Sequence, residues 1–270
     1  MAKEFVFTKE DFAKIQRTVK DKVGINLGDH KFEMVYGRLA RRLRVHKIKL
    51  VDDYLDLISD DKDEHIQFIN AITTNLTYFF REGHHFEFLA DKCLRDIKAK
   101  HLVDRRVRIW SAGCSTGEEP YSIAETLKEF HRNHKAWDYK ILATDLDTKV
   151  LATARAGVYD QQRVDKVPAS VVQSMFDRDG ENYIVKDELK HQIAFKQLNL
   201  MSGWPMKGKF DVIFCRNVLI YFNRETQQEL ISRFHKQLYN GGYLILGHSE
   251  SIGQQAANFE AIGRTIFQKV

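Results

Sequence analysis

Long apolar runs, cysteines and prolines are all scarce in this 270-residue chain. No stretch approaches the roughly 18 apolar residues that a membrane-crossing helix needs, so membrane insertion is not expected. The opening Met-Ala-Lys-Glu-Phe lacks the apolar core of a secretory leader. Three cysteines (Cys93, Cys114 and Cys215) are odd in number and not spaced for zinc. Neither a disulfide framework nor a metal site is expected, and a reducing cytoplasmic location is. Only three prolines interrupt the chain, and no repeat or low-complexity tract divides it. What remains, 43% hydrophobic and 29% charged residues, is the balance of a soluble globular protein with room for one large domain or two smaller ones.

The texture changes along the chain. From about Thr8 to Asn70 apolar residues recur at helical spacing (Phe12, Ile15, Val19; Leu39, Leu43; Tyr54, Leu55, Ile58), with Asp52 or Asp53 available to cap a helix. From about Val107 short apolar strands alternate with helical stretches. Strands are expected at Arg108–Ser111, Lys140–Thr144, Phe210–Cys215 and Tyr243–Gly247, joined by parallel crossovers. A connecting helix is expected over Glu82–Lys98. Residues Tyr159 to Lys196 do not fit a crossover; Asp179-Gly180 between apolar stretches suggests a small antiparallel hairpin in an insertion. The expected division is a helical domain over 1–74, a linker and connecting helix over 75–98, and an α/β domain over 99–270 with an insertion at about 160–197.

The segment Arg108-Ile-Trp-Ser-Ala-Gly-Cys-Ser-Thr-Gly-Glu-Glu-Pro-Tyr-Ser122 runs from a strand through a glycine loop into a helix, where open α/β folds bind nucleotide-like ligands. Gly113 and Gly117 allow close approach to a ligand and dihedrals that a Cβ would block. It is not Gly-x-Gly-x-x-Gly, which counts against a nicotinamide cofactor. Glu118 and Glu119 would repel a phosphate, whereas S-adenosylmethionine brings ribose hydroxyls and a sulfonium. Asp145, at the end of the second strand, is placed to accept from ribose hydroxyls; Asp145 or Asp147 would also cap the next helix, and capping needs only one of them. Cys215-Arg216-Asn217 ends the third apolar strand, and Tyr221 follows five residues past Arg216.

Five motifs occur in order: Asn75-Leu-Thr-Tyr-Phe-Phe-Arg-Glu82, Ser111-Ala-Gly-Cys-Ser-Thr-Gly-Glu-Glu-Pro-Tyr-Ser122, Thr144-Asp-Leu-Asp147, Phe214-Cys-Arg-Asn-Val-Leu-Ile-Tyr-Phe222 and Gly247-His-Ser-Glu250. Together they resemble the chemotaxis receptor methyltransferases, the CheR family, over nearly the whole chain. The resemblance implies an all-α N-terminal domain and a class I S-adenosylmethionine methyltransferase domain, Rossmann-like, with a small antiparallel β insertion. It implies transfer of a methyl group from S-adenosylmethionine to glutamates on the cytoplasmic helical region of chemoreceptors, leaving S-adenosylhomocysteine. By the same resemblance Asn75, Thr77 and Arg81 lie near the methionine end of the cofactor. Glu119 and Asp145 meet its polar groups, and Asn199, Leu200, Cys215 and Arg216 flank the adenine and the sulfonium. Arg81, Arg216 and Tyr221 are the candidates for the reaction centre.

A glutamate is already ionised at neutral pH and a sulfonium methyl is already electrophilic, so this chemistry needs positioning more than a base or a metal. From Met34 to Val51 there are six Lys or Arg and no acid. Arg38, Arg41, Arg42 and Arg44 are therefore expected to dock and steer an acidic helical bundle. Nucleic acid is not the expected partner, because the run lacks interleaved aromatics and is followed by seven acids in Asp52–Glu64. The short Asp179-Gly180 hairpin leaves little room for the longer loop with which some relatives grip a receptor C-terminal pentapeptide, so independence from that tether is expected.

Overall fold

A computed structural model describes residues 4–270. They divide into two compact units: residues up to Thr74 with Tyr221–Asn223, and Asn75–Ile220 with Arg224–Val270. No helix among the described residues is long and apolar enough to cross a membrane.

In the first unit, α1 (Lys9–Val23) starts at a capping box: the Thr8 hydroxyl accepts the Asp11 N–H, and the Asp11 carboxylate accepts the Thr8 N–H. It stops at Gly24, whose φ of 74° ends the helix without a Cβ penalty. Its buried stripe of Phe12, Ile15, Val19 and Val23 follows the sequence period. Helix α2 (Phe32–His46) buries Val35, Leu39, Ala40 and Leu43. Helices α3 (Val51–Asp60) and α4 (Lys62–Ile72) complete the unit. Neither Asp52 nor Asp53 caps α3. Leu50 holds the cap position without a side-chain bond, and both aspartates lie in the first turn, where they face the positive end of the helix dipole. Asp61 is the cap that forms, at α4, accepting the N–H groups of Asp63 and Glu64.

The second unit opens with α5 (His84–Phe88), a π-helical turn (Leu89–Cys93) and α6 (Leu94–Lys100). The expected Glu82–Lys98 helix starts two residues late because Glu82 is left-handed, with φ 58°. The main sheet then builds from β1 (Arg106–Ala112), α7 (Glu118–Asn133), β2 (Asp138–Asp145) and α8 (Thr148–Ala156). A small antiparallel sheet interrupts it: β3 (Val158–Tyr159), helices α9 (Gln161–Val164) and α10 (Ala169–Met175), then the hairpin β4 (Phe176–Asp179) and β5 (Asn182–Val185). After α11 (Asp187–Lys190) the chain returns through β6 (Ile193–Gln197), which pairs in parallel with β2. Residues 193–197 therefore belong to the main sheet and not to the insertion. Next come β7 (Phe210–Cys215), α12 (Arg224–Gln237), β8 (Leu238–Leu246), β9 (Phe259–Gly263) and β10 (Ile266–Lys269).

The sheet order is β6-β2-β1-β7-β8-β10-β9, parallel up to β8 and antiparallel beyond it. Strand β7 is buried along its whole length, as a largely apolar central strand covered on both faces must be. Ile109, Ile141, Val212, Phe214 and Ile245 share one core with Ile123, Ala124 and Leu127 of α7. Trp110, fully buried, makes ring contacts with Trp204, Phe210 and Phe234 and donates from Nε1 to the Thr144 hydroxyl at 2.8 Å. Because β2 and β7 flank β1 on opposite sides, the strand order reverses there. A crevice opens at such a switch point, outside the carboxyl ends of the strands.

Candidate active site

Three strand ends supply the crevice. After β1, the loop bends through Gly113 (φ 87°), Ser115 (φ 49°) and Gly117 (φ 100°) into α7. A Cβ on Gly113 would stand 2.4 Å from Val218 Cγ2, and one on Gly117 would meet Ala154 and the Tyr159 hydroxyl at 2.9 Å. The glycines are thus required by their dihedrals and by protein packed against them.

Asp145 ends β2. Its Oδ2 accepts the Ser115 N–H at 2.8 Å and its Oδ1 the Asp147 N–H at 2.9 Å. Asp147 does the capping, with Oδ1 accepting the N–H groups of Lys149 and Val150. Asp145 is left with lone pairs free of helix duty. Burial pushes its carboxyl up to about 6, opposed by backbone N–H groups including those of Asp147 and Ser115. Asn75 braces this corner from the preceding segment: its side chain donates to Asp147 Oδ2 at 2.9 Å, and its carbonyl accepts from the Ser115 hydroxyl at 3.0 Å. Thr77 lines a cleft of about 330 Å³ with Asn75, Tyr78, Arg163 and Lys166.

Arg216, at the end of β7, is buried and surrounded by acceptors. Nη1 donates to Glu119 Oε2 at 3.1 Å, Nη2 donates to the Arg81 carbonyl, and Nη2 lies 3.6 Å from Glu82 Oε2. Glu119 also accepts from the Ser111 hydroxyl at 2.7 Å, and burial raises its carboxyl despite Arg216. Arg81 donates from Nη1 to the Leu76 carbonyl at 2.9 Å, and its guanidinium lies 5.7 Å from the Tyr78 ring centre. Cys215 is fully buried, and burial holds its thiol well above its ordinary value, so it forms wall rather than nucleophile. Asn199 shapes the turn after β6 by accepting the Met201 N–H at 2.9 Å. The carbonyl of buried Leu200 accepts from Arg233 and Trp204. Tyr221 groups with the helical unit, where its hydroxyl donates to the Thr74 carbonyl at 3.1 Å.

The second unit therefore joins Asn75, Asp145 and the glycine loop in one bonded set, and Arg81, Glu119 and Arg216 in another. Sequence reasoning missed Ser111, Ser115, Glu82 and Glu250. Glu250, in the Gly-His-Ser-Glu motif, accepts the N–H groups of Asn217 (2.8 Å) and Gly247 (2.6 Å) and so fixes the left-handed bend at Asn217 behind Arg216. Its place in that motif was the available signal.

The residues present suit S-adenosylmethionine. Asp145 is a half-buried hydroxyl acceptor at the strand end, and the carboxylates of Glu119 and Glu82 favour a cationic ligand over a phosphate.

The docking arginines divide. Arg38 Nη1 donates to the carbonyls of Ala71, Ile72 and Thr73 at 2.7–3.1 Å, closing the carboxyl end of α4. Arg42 pairs with buried Glu64, which also accepts from the Tyr54 hydroxyl at 2.5 Å and contacts His46 at 2.7 Å. Arg44 pairs with Glu4 at the surface, and Arg41 is exposed. The expected four-arginine face narrows, because Arg38, Arg42 and Arg44 all bond within their own unit.

Known proteins extend this geometry. The family model described as "CheR methyltransferase, SAM binding domain" matches residues 75–267, and "CheR methyltransferase, all-alpha domain" matches residues 10–73. A "Probable chemotaxis protein methyltransferase" of Rhizobium etli is 41% identical over 91% of this chain and 94% of that protein. "Chemotaxis protein methyltransferase 2" of Pseudomonas aeruginosa is 40% identical over 98% and 94%, and the "Chemotaxis protein methyltransferase" of Escherichia coli 39% identical over 99% and 93%. With both family models in register over these two units, the chain belongs to the CheR methyltransferases, the S-adenosylmethionine-dependent methyltransferases of chemotaxis.

Proposed function

We propose that this protein methylates glutamate side chains on the cytoplasmic helical region of chemoreceptors, giving γ-methyl esters. Nearly full-length similarity to proteins named for chemotaxis methylation carries the reading, in a chain that keeps Arg81, Arg216 and Tyr221. S-adenosylmethionine supplies an electrophilic methyl on a sulfonium and leaves as S-adenosylhomocysteine. Asp145 holds ribose hydroxyls; Asn75, Thr77 and Arg81 hold the methionine end; Gly113, Glu119, Asn199, Leu200 and Cys215 shape the rest of the cofactor site.

The acceptor carboxylate is ionised at neutral pH and needs no general base. Arg216 and Arg81 supply the positive field that orients it. Orientation of this kind is worth up to roughly 7–11 kcal/mol of barrier. The helical unit docks the receptor through Arg41 and its basic neighbours. Nucleic acid is not a substrate, and no receptor tether is required.

Tritiated S-adenosylmethionine tests the reading. Incorporation into a receptor cytoplasmic fragment, released as methanol by mild base, is the expected result. Base-stable label, or label transferred to RNA instead, overturns it.

A further inference from the structure

The Arg216 cluster is built from carboxylates of two characters. Glu119 is pushed up by burial. Burial would raise Glu82 too, but the Arg216 charge and a His248 hydrogen bond outweigh it, leaving Glu82 below its ordinary value. His85, beside it, is pushed down to about 3, chiefly by burial and then by the Arg216 charge, so it brings no positive charge at neutral pH. Glu82 is accordingly a second counter-ion of Arg216, beside Glu119 on Nη1.

Its geometry is loose where a structural ion pair would be tight. Glu82 Oε2 stands 3.6 Å from Arg216 Nη2 and 3.6 Å from His85 Nδ1, beyond hydrogen-bond reach of both. Glu82 Oε2, His85 Nδ1 and Arg216 Nε are all buried without a hydrogen-bond partner. Buried polar atoms are nearly always bonded, so three together at one end of the crevice mark a cluster that completes its bonding in another state. Backbone strain is concentrated in the same place. Phe80 (φ 53°) and Glu82 (φ 58°) are both left-handed non-glycine residues, and Phe80 N–H is anchored on the Ser122 hydroxyl at 2.9 Å.

We propose that Glu82 is a positioning residue for methyl transfer, holding Arg216 on an internal carboxylate so that Arg216 orients the acceptor carboxylate without pairing with it tightly. The inference rests on the glutamate-acceptor reading. With Nη1 already held by Glu119, the Nε and Nη2 edge, left without Glu82, would pair with the acceptor through two bonds, which strengthens binding of the ground state and ties up the oxygen lone pairs that must attack. Glu82, sharing the Nη2 edge, prevents that.

The test is steady-state kinetics of Glu82→Gln on a receptor fragment, with calorimetry of S-adenosylhomocysteine and a thermal midpoint measured alongside. Expected are S-adenosylhomocysteine affinity within about twofold of wild type, kcat down about tenfold, and KM for the receptor down at least about threefold. A fall in KM is what a merely structural role would not give. Glu82→Asp, which keeps the charge, should recover most of kcat. Unchanged kcat and KM, a KM that rises, or a tenfold loss of S-adenosylhomocysteine affinity overturns the role of Glu82 while leaving the acceptor reading standing. A wild-type protein that methylates no receptor glutamate overturns both. Should Glu82→Gln melt early, His248→Ala serves instead. It removes the exposed donor to Glu82 Oε1, and it should move kcat and KM the same way by a smaller factor; no movement overturns the proposal.

Discussion

Asp147 donates its backbone N–H to Asp145 Oδ1 at 2.9 Å, and this one bond separates the tasks of two carboxylates that share a strand end. Asp147, turned toward α8, satisfies two of its free N–H groups. Asp145, relieved of that work, is held by the Ser115 and Asp147 amides with lone pairs to spare. A half-buried acceptor preorganised in this way is what a ribose diol needs.

The raised carboxyl of Asp145 gives a pH signature. Its folded value of about 6 lies above the ordinary 3.8, so protonation is favoured in the folded state. The associated stability is present below about pH 4 and is lost as pH rises through about 6, at most about 3 kcal/mol. Asp145→Asn should therefore leave the ligand-free thermal midpoint at pH 7.5 unchanged or higher, while S-adenosylhomocysteine binding falls at least about 30-fold. In the wild type, calorimetry should show affinity weakening as pH drops below about 6. A pH-independent affinity between 5 and 8 would remove Asp145 from the ribose site.

The arginines of α2 should separate by their partners. Arg42→Ala leaves Glu64 buried beside Tyr54 without its strongest partner, a loss of about 3 kcal/mol and several degrees of thermal midpoint. Burial raises Glu64, but bonds from Arg42, Tyr54 and His46 outweigh it and lower its carboxyl. The stabilisation is thus present above about pH 4.5 and fades as acid titrates Glu64 through its lowered value. Exposed Arg41 carries no such duty. Arg41→Glu should leave the midpoint within a degree, yet raise receptor KM several-fold at low salt, with the effect fading at about 0.5 M NaCl. Equal effects of both variants on KM would contradict the division.

Much of this was legible in the chain, for physical reasons. Strand β7 is buried throughout, and β1 and β2 over most of their carboxyl halves, so these stretches read as apolar runs. Edge strand β6 is mostly exposed and β9 is buried only at its first residue, so neither left a hydrophobic signal. Asp145 stood out because strand ends face the crevice. Glu82 closes the first motif, but its pairing with Arg216 was not legible, since the two lie far apart in sequence and only folding brings them together. Arg38 and Arg42 read as surface because a helix pattern does not show the neighbouring α4, whose carbonyls and Glu64 engage them.

The β4–β5 hairpin bears on receptor recognition. Asp179 pairs with Asn182, so only Gly180 and Glu181 form the loop, and Gly180 takes the φ of 57° that a tight turn requires. Nothing longer extends from this turn to grip a peptide. Calorimetry with a receptor C-terminal pentapeptide should show no binding at micromolar concentrations. A receptor fragment lacking that peptide should be methylated within about twofold of the intact one. A hundredfold drop would restore the tether.

The glycine loop allows two causes of rigidity to be separated. Gly113→Ala asks alanine to adopt φ 87° and sets its Cβ 2.4 Å from Val218 Cγ2. The dihedral alone costs about 1–2 kcal/mol, and overpacking of a fixed side chain adds about 1–3 kcal/mol. The single variant should therefore lower the thermal midpoint markedly and weaken S-adenosylhomocysteine binding, because Gly113 N–H and Cys114 N–H both bond the Thr144 carbonyl next to Asp145. In the double variant Gly113→Ala/Val218→Ala the clash is gone and the dihedral remains, so the losses should be less than additive. Strict additivity would mean that Val218 does not constrain the loop, leaving the positive φ as the sole reason for glycine at this position.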